Sequence, residues 1–260
     1  MVACVAPSPD AGSDATAADR QSGSGIRVAA ASDLQFAMPA LIERFQKDHP
    51  DIRVDPTFGS SGNFFAQLRN EAPFDMYFSA DVRYPQRLGE QGLLADDSLF
   101  EYAVGRVVVA VRAGSSLDVD TLGLEALTEP SVRKIAIANP QHAPYGVAAE
   151  EAIRSYGLYD QVADRLVLGE NVTQTAQFID SGAADVGIIA LSLALAPAWG
   201  GSYVEIPADK HNEILQGGAI MAEAQDPEAA RLFREFLLSE PGKKILVDFG
   251  FALPSGRTGE

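Results

Sequence analysis

A chain of 260 residues, 47% apolar and with mean hydropathy near zero, has soluble, globular composition and is long enough for one large domain or two lobes. No run approaches the ~18 apolar residues of a membrane span, and a net charge of −16 argues against nucleic acid as a partner. The single cysteine, Cys4, excludes an internal disulfide.

Met1-Val2-Ala3-Cys4 is similar to the end of a lipobox, in which a small residue precedes a cysteine that becomes lipidated. The charged and apolar parts of a signal peptide do not precede it, so coincidence is the competing reading. Residues 1–25 are rich in Ala, Ser, Asp and Gly without helical or strand period, which predicts a flexible tether. Ile26 to Ala30 is a β run. Ser32 is expected to cap a helix carrying Leu34, Met38, Leu41 and Phe45 on one face, ended by His49-Pro50-Asp51. Ile52 to Phe58 is a second strand, followed by a helix through Phe64, Phe65 and Leu68. Phe74 to Phe78 is a third strand, and a helix starts at Asp81 and ends near Gly92. Such a β-α-β-α-β-α series predicts a mostly parallel sheet covered on both faces.

Arg106 to Val111 is strongly β-prone, and after it the pattern restarts. Lys134 to Ala138, Leu166 to Leu168, Asp185 to Ile189 and Tyr203 to Ile206 read as strands. Helices are expected from about Pro144 to Tyr156 and from Val172 to Ser181. Ile214 to Met221 is an extended apolar segment, and helices over Pro227 to Leu238 and Pro241 to Phe249 close the chain. Two lobes follow: 26–105 with 218–256, and 106–217. They are joined by extended crossovers at the valine-rich run after Gly105 and around Gly217-Gly218.

Four short loops of small residues each connect a strand to a helix: Ala30-Ala31-Ser32-Asp33, Gly59-Ser60-Ser61-Gly62, Ala143-Pro144-Tyr145-Gly146 and Glu170-Asn171-Val172-Thr173. Backbone N–H groups at a helix start lack partners within the helix, and the helix dipole adds partial positive charge there. Several such ends aimed at one point form an anion site without a cation, and these segments contain no Lys, Arg or His. Strand-to-helix turns at the carboxyl ends of parallel strands are also where open α/β sheets bind ligands.

These segments also carry a resemblance. Ala29-Ala30-Ala31-Ser32, Phe58-Gly59-Ser60-Ser61-Gly62, Ala72-Pro73-Phe74-Asp75-Met76-Tyr77-Phe78-Ser79-Ala80-Asp81, Asn139 to Gly146, Glu170-Asn171-Val172, Asp185-Val186-Gly187-Ile188 and Gly250-Phe251 occur in the order and spacing of the periplasmic molybdate-binding proteins, the solute receptors of molybdate ABC importers. The resemblance runs from about Ile26 to Pro254. It implies an α/β fold of the type II periplasmic binding protein class: two lobes with mostly parallel sheets, two crossovers and a closing cleft. It also implies a monomer that binds molybdate or tungstate without a cofactor, delivers it to an ABC permease and works in the periplasm or at the cell surface.

Transferred residue by residue, the resemblance makes Ser32 and Ser61 hydroxyl and N–H donors from the first lobe, and Tyr145 and Val172 backbone N–H donors from the second. The molybdenum or tungsten would be held through its oxygens, with no protein atom as a direct metal ligand. Many members carry a tyrosine after the strand that here ends at Ala190, its phenol donating to the anion. Members without it tend to carry a tyrosine in the Pro-Tyr-Gly loop, so the Tyr145 phenol is expected to replace it. Ser60, Asp33 and Ala190 would stand just behind the ligand.

Bland readings compete. Ser32 and Ser61 could be helix caps, worth about 1 kcal/mol each. A carboxylate beside a dianion is repulsive, so Asp33 should point away or cap its own turn; the alternative is that it accepts the proton of an anion such as hydrogen phosphate. His49, His142 and His211 lack metal-ligand spacing, and His142 draws interest only as a neighbour of the third loop. No nucleophile–base pair, nucleotide-type phosphate loop or DNA-binding helix pair is present, which argues against an enzyme or a regulator on this fold. Phosphate, sulfate and thiosulfate remain alternative ligands.

Overall fold

The computed structural model describes residues 24–255, so Cys4 and all but the end of the expected tether lie outside the described residues. The first lobe begins with β1 (Ser24–Ala31), a single 3-10 turn (Ser32–Leu34), α1 (Ala37–Asp48), β2 (Ile52–Gly59), α2 (Ser61–Leu68), β3 (Met76–Ser79), α3 (Arg83–Gly89) and β4 (Phe100–Gly105). The second lobe runs through β5 (Val107–Ala110), α4 (Val119–Leu122), β6 (Ile135–Ala138), α5 (Pro144–Ser155), α6 (Tyr159–Val162), β7 (Leu166–Gly169), α7 (Val172–Asp180), β8 (Val186–Ala190), α8 (Leu191–Ala194) and β9 (Tyr203–Glu205). The chain then returns to the first lobe with β10 (Ile214–Ile220), α9 (Pro227–Leu238) and α10 (Glu240–Asp248).

Each lobe is built on one five-stranded sheet, ordered β2-β1-β3-β10-β4 in the first and β7-β6-β8-β5-β9 in the second. The sheets are mixed rather than mostly parallel. β1 pairs in parallel with β2 and β3, and β6 with β7 and β8, as right-handed strand–helix–strand units require. The first strand after each crossover runs the other way: β10 is antiparallel to β3 and β4, and β5 to β8 and β9. Sequence patterning locates strands but carries no sign of direction where no helix connects them.

The second crossover lies between Glu205 and Ile214, ahead of the position expected for it. Gly217 and Gly218 stand within β10, paired with Ser79 and Phe78. A Cβ on Gly217 would meet Val82 and one on Gly218 would meet Phe100, so these glycines allow close packing rather than bending. The first lobe accordingly resumes at Ile214 and includes Ile214–Gly217, assigned to the second lobe on sequence.

Strands buried on both faces explain the near-continuous apolar runs: Ile26, Val28, Ala29 and Ala30 of β1 and all of β5 have no exposed surface. In the first lobe Met38, Leu41 and Phe45 of α1 pack against β1, with Phe45 edge-on to Phe233 of α9. In the second, β5, β6 and β8 are covered by α5 and α7. Register then places the turns. Ala31 lies opposite Gly59 and Ala138 opposite Gly169. The chain therefore leaves β1 and β2 side by side in one lobe, and β6 and β7 side by side in the other.

Candidate functional site

The four turns meet at one small cavity between the lobes. Ser32 and Asp33 line it from the turn after β1, Ser60 and Ser61 from the turn after β2, Tyr145 from the start of α5, and Asn171 and Val172 from the start of α7, with Ala31, Gly59, Ala80, Ala143 and Pro144 completing the wall. No lysine, arginine or histidine lines it. As first-turn residues of α2, α5 and α7, Ser61, Tyr145 and Val172 carry N–H groups with no partner in their own helices.

Neither serine is a helix cap. Ser60, not Ser61, caps α2, accepting from the Asn63 N–H. The Ser61 oxygen instead accepts from the Ala80 N–H at 2.9 Å, and the Ser61 carbonyl accepts from the buried Tyr77 hydroxyl at 2.7 Å. With its acceptor role occupied, the Ser61 hydroxyl keeps its proton to give. Ser32 opens the 3-10 turn, whose cap position is Ala31 without a side-chain bond, so the expected capping of a long helix by Ser32 does not occur. Asn171 does cap α7, accepting from the Gln174 N–H at 2.9 Å.

The lobes are closed on each other around the cavity. Gly62 N–H donates to the His142 carbonyl at 2.8 Å, Thr173 Oγ1 to the Ser32 carbonyl at 3.0 Å, and Ser192 Oγ to the Asp33 carbonyl at 2.7 Å. A Cβ at Gly62 would fall 2.7 Å from the His142 carbonyl oxygen, so only glycine permits this approach. His142 is a strut rather than a ligand: its Nδ1 is hydrogen-bonded to Ser60 Oγ at 3.0 Å and its ring does not line the cavity. His49 instead stacks on Phe45, and His211 bonds the neighbouring Asn212 carbonyl.

Two expectations need correction. Asp33 neither points away nor caps its turn. It lines the cavity with 1% of its surface exposed, and its Oδ2 accepts from Tyr145 OH at 3.0 Å and Gln216 Nε2 at 2.5 Å. Burial pushes its carboxyl up to about 6, against the pull of those two hydrogen bonds and of the Asp33 and Leu34 backbone N–H groups. The Tyr145 phenol, expected on the anion, is given to Asp33 and also accepts from Gln216 Nε2 at 3.2 Å. Its ring fits against Gly105, where any side chain would collide with the hydroxyl. Burial and the nearby Asp33 raise the Tyr145 phenol well above its ordinary value, so it stays protonated. Ala190 is fully buried opposite Val107 and is not in the cavity wall.

Gln216 was missed by sequence reasoning, although a signal existed: it is the one amide in the apolar run Ile214 to Met221. A larger neighbouring cavity of about 440 Å³ shares Ala80 and Pro144 with the first. Its one cation, Arg83, is paired with Asp81, and its other charged residues, Glu151 and Glu213, are acidic, so it presents no converging donor set.

Comparison with known proteins agrees with the two-lobed fold. Residues 26–252 match the family of bacterial extracellular solute-binding proteins. The molybdate-binding protein ModA of Azotobacter vinelandii is 31% identical over 231 residues, 88% of this chain and 90% of that one. The solved structure of the periplasmic molybdate-binding protein from Azotobacter vinelandii superposes with a TM-score of 0.82 at 32% identity, over 88% of this chain and all of that one. A putative ABC transporter substrate-binding lipoprotein of Bacillus subtilis, YvgL, is 27% identical over 87% of this chain and 85% of its own length.

Proposed function

Because the chain belongs to the bacterial extracellular solute-binding protein family, we propose that it is the extracytoplasmic receptor that binds molybdate, and tungstate alike, and hands it to an ABC permease. Its role is to bind and release a solute rather than to transform one. The observation that carries the ligand assignment is the convergence of four donor-bearing turns from both lobes on a cavity without a cationic side chain.

Burying a dianion is costly unless every oxygen is hydrogen-bonded, and charge-assisted bonds from neutral N–H and O–H groups meet that need. Ser32 and Ser61 offer hydroxyls from one lobe, and Tyr145 and Val172 offer backbone N–H groups from the other. Because each lobe supplies part of the set, the full complement exists only when the lobes are closed, which couples binding to closure. The permease would then read the closed form. Molybdate is fully deprotonated at neutral pH and suits a site of donors. Sulfate has the same charge and shape but is smaller, so the span between the two walls must separate them. Lipidation at Cys4, with residues 5–25 as a tether and the chain acting as a monomer, completes this reading. Its support is the lipobox-like Met1 to Cys4 and the likeness to a lipoprotein relative.

Calorimetric titration with molybdate, tungstate, sulfate and phosphate tests the assignment. Molybdate and tungstate should bind, and molybdate at ~100 times its dissociation constant should add about 2.7 kcal/mol to stability. Binding of phosphate with no response to molybdate or tungstate would overturn it.

A further inference from the structure

Two buried acceptor atoms beside the anion cavity have no partner among the described residues: Asp33 Oδ1 and Gln216 Oε1. They belong to side chains already joined by a hydrogen bond, Gln216 Nε2 to Asp33 Oδ2. A buried oxygen without a donor costs ~1–3 kcal/mol, more when charged. A carboxylic acid and a primary amide pair through two bonds, amide N–H to acid carbonyl oxygen and acid O–H to amide oxygen. The first bond is in place. The two atoms that would make the second are the two left orphaned, and a single proton on the carboxyl supplies what both lack.

The geometry points to a neutral acid–amide pair between Asp33 and Gln216 in the closed protein, so that the oxyanion enters together with one proton and meets a wall that only donates. This rests on the oxyanion reading above and makes Asp33 and Gln216 positioning and specificity residues. An ionised Asp33 would repel a dianion and would offer an acceptor to a protonated anion such as hydrogen phosphate. A neutral one, its proton committed to Gln216, does neither.

Burial favours the neutral form and outweighs the opposing pull of the Gln216 and Tyr145 side chains and of the Asp33 and Leu34 N–H groups. Tyr145 from α5, Tyr102 from β4 and Gln216 from β10 face the carboxyl, and none of them is charged at neutral pH. Ser192 from α8 bonds the Asp33 backbone carbonyl and leaves the carboxyl alone. Burial already raises the Asp33 carboxyl to about 6, and a dianion in the same cavity raises it further, because a like charge disfavours ionisation. Tyr145 and Ser192 stand on the second lobe and Asp33 on the first. Opening the cleft therefore returns Asp33 toward water and toward the ordinary carboxylate value of about 4. Closure around the dianion thus takes up a proton.

The test is calorimetric titration of the full chain with molybdate at pH 8, in two buffers of different ionisation enthalpy. Molybdate itself carries no proton at that pH, so the buffer-dependent part of the heat counts protons taken up by the protein. Uptake approaching one proton per anion is expected, with affinity falling toward tenfold per pH unit between the pKa of the carboxyl in the free protein and its pKa in the closed complex. In Asp33→Asn, whose amide can pair with Gln216 without a titrating proton, uptake should vanish and the pH slope flatten, whatever the absolute affinity. Binding by the unaltered protein with no proton uptake between pH 6 and 9 would overturn the pair, and that measurement does not depend on the variant folding. Failure to bind molybdate or tungstate at any pH would overturn the ligand assignment instead, which keeps the two failures apart.

Discussion

The two walls of the cavity are built differently. The first lobe lines it with Ser32 and Ser61, whose hydroxyls are the proposed donors, and Ser61 is fixed through both its side-chain and its backbone oxygen by Ala80 and Tyr77. The second lobe presents main chain: the N–H groups at the starts of α5 and α7, with the Val172 side chain buried in its own core and the Tyr145 phenol turned to Asp33. Side-chain identity should therefore matter on one wall and main-chain geometry on the other. The same anion would feel both walls, but single substitutions should feel mainly the first.

The contact between the walls is the most sensitive point. Gly62→Ala puts a methyl 2.7 Å from the His142 carbonyl oxygen, which belongs to the opposite lobe's backbone and cannot swing aside. The same change lies inside α2, where alanine is the better helix former by about 1 kcal/mol. Molybdate affinity should fall at least ~100-fold, about 2.7 kcal/mol, while the ligand-free protein melts no lower than before. Undiminished binding by calorimetry would show that the lobes need not approach this closely.

Ser61→Ala tests the first wall itself. Loss of a hydroxyl donor to a buried anion should cost on the order of 1.5–3 kcal/mol of binding. The Ala80 N–H also loses its acceptor, so some destabilisation of the free protein is expected, smaller than the binding loss. Equal losses in free and bound protein, compared by thermal unfolding with and without molybdate, would reduce Ser61 to a structural brace.

Tyr145→Phe probes the second wall where it leans on the first. The phenol bonds Asp33 across the closed cleft, so its removal weakens closure rather than a direct contact with the anion. The expected loss is about tenfold in affinity, ~1.4 kcal/mol, with the free protein's stability nearly unchanged. If the phenol touched the anion instead, introducing Ala190→Tyr in that variant should restore binding. With Ala190 fully buried and away from the cavity, no rescue is expected.

Elements with a strong period were legible in the sequence. The α9 span is as expected, and α5, α7 and β1 differ only at their ends. So was the meeting of the four turns, because small residues between a strand and a helix mark both the turn and its free N–H groups. Three things were not legible. β4 escaped because Phe100–Gly105 mixes polar and apolar residues, and its place is set by β10 pairing beside it. Strand direction at the crossovers depends on how the lobes fold back, which leaves no local mark. The bonding of Asp33 and Tyr145 required Gln216, which is distant in sequence from both and joins them only when β10 lies under the cleft.

Val172→Ala carries the comparison to its smallest effect. If the second wall works through main chain, trimming this side chain should leave the donor where it was, since alanine fits the first turn of α7 as well as valine does. The side chain is nevertheless 3% exposed and packed in the second lobe's core, so removing two methyl groups should lower stability by about 1–2 kcal/mol. The expected result is a lower melting temperature, with the dissociation constant for molybdate changed less than about threefold, ~0.6 kcal/mol. A larger loss of affinity than of stability would mean that the valine side chain shapes the anion's seat. The division between a side-chain wall and a main-chain wall would then fail at the position where it makes its simplest claim.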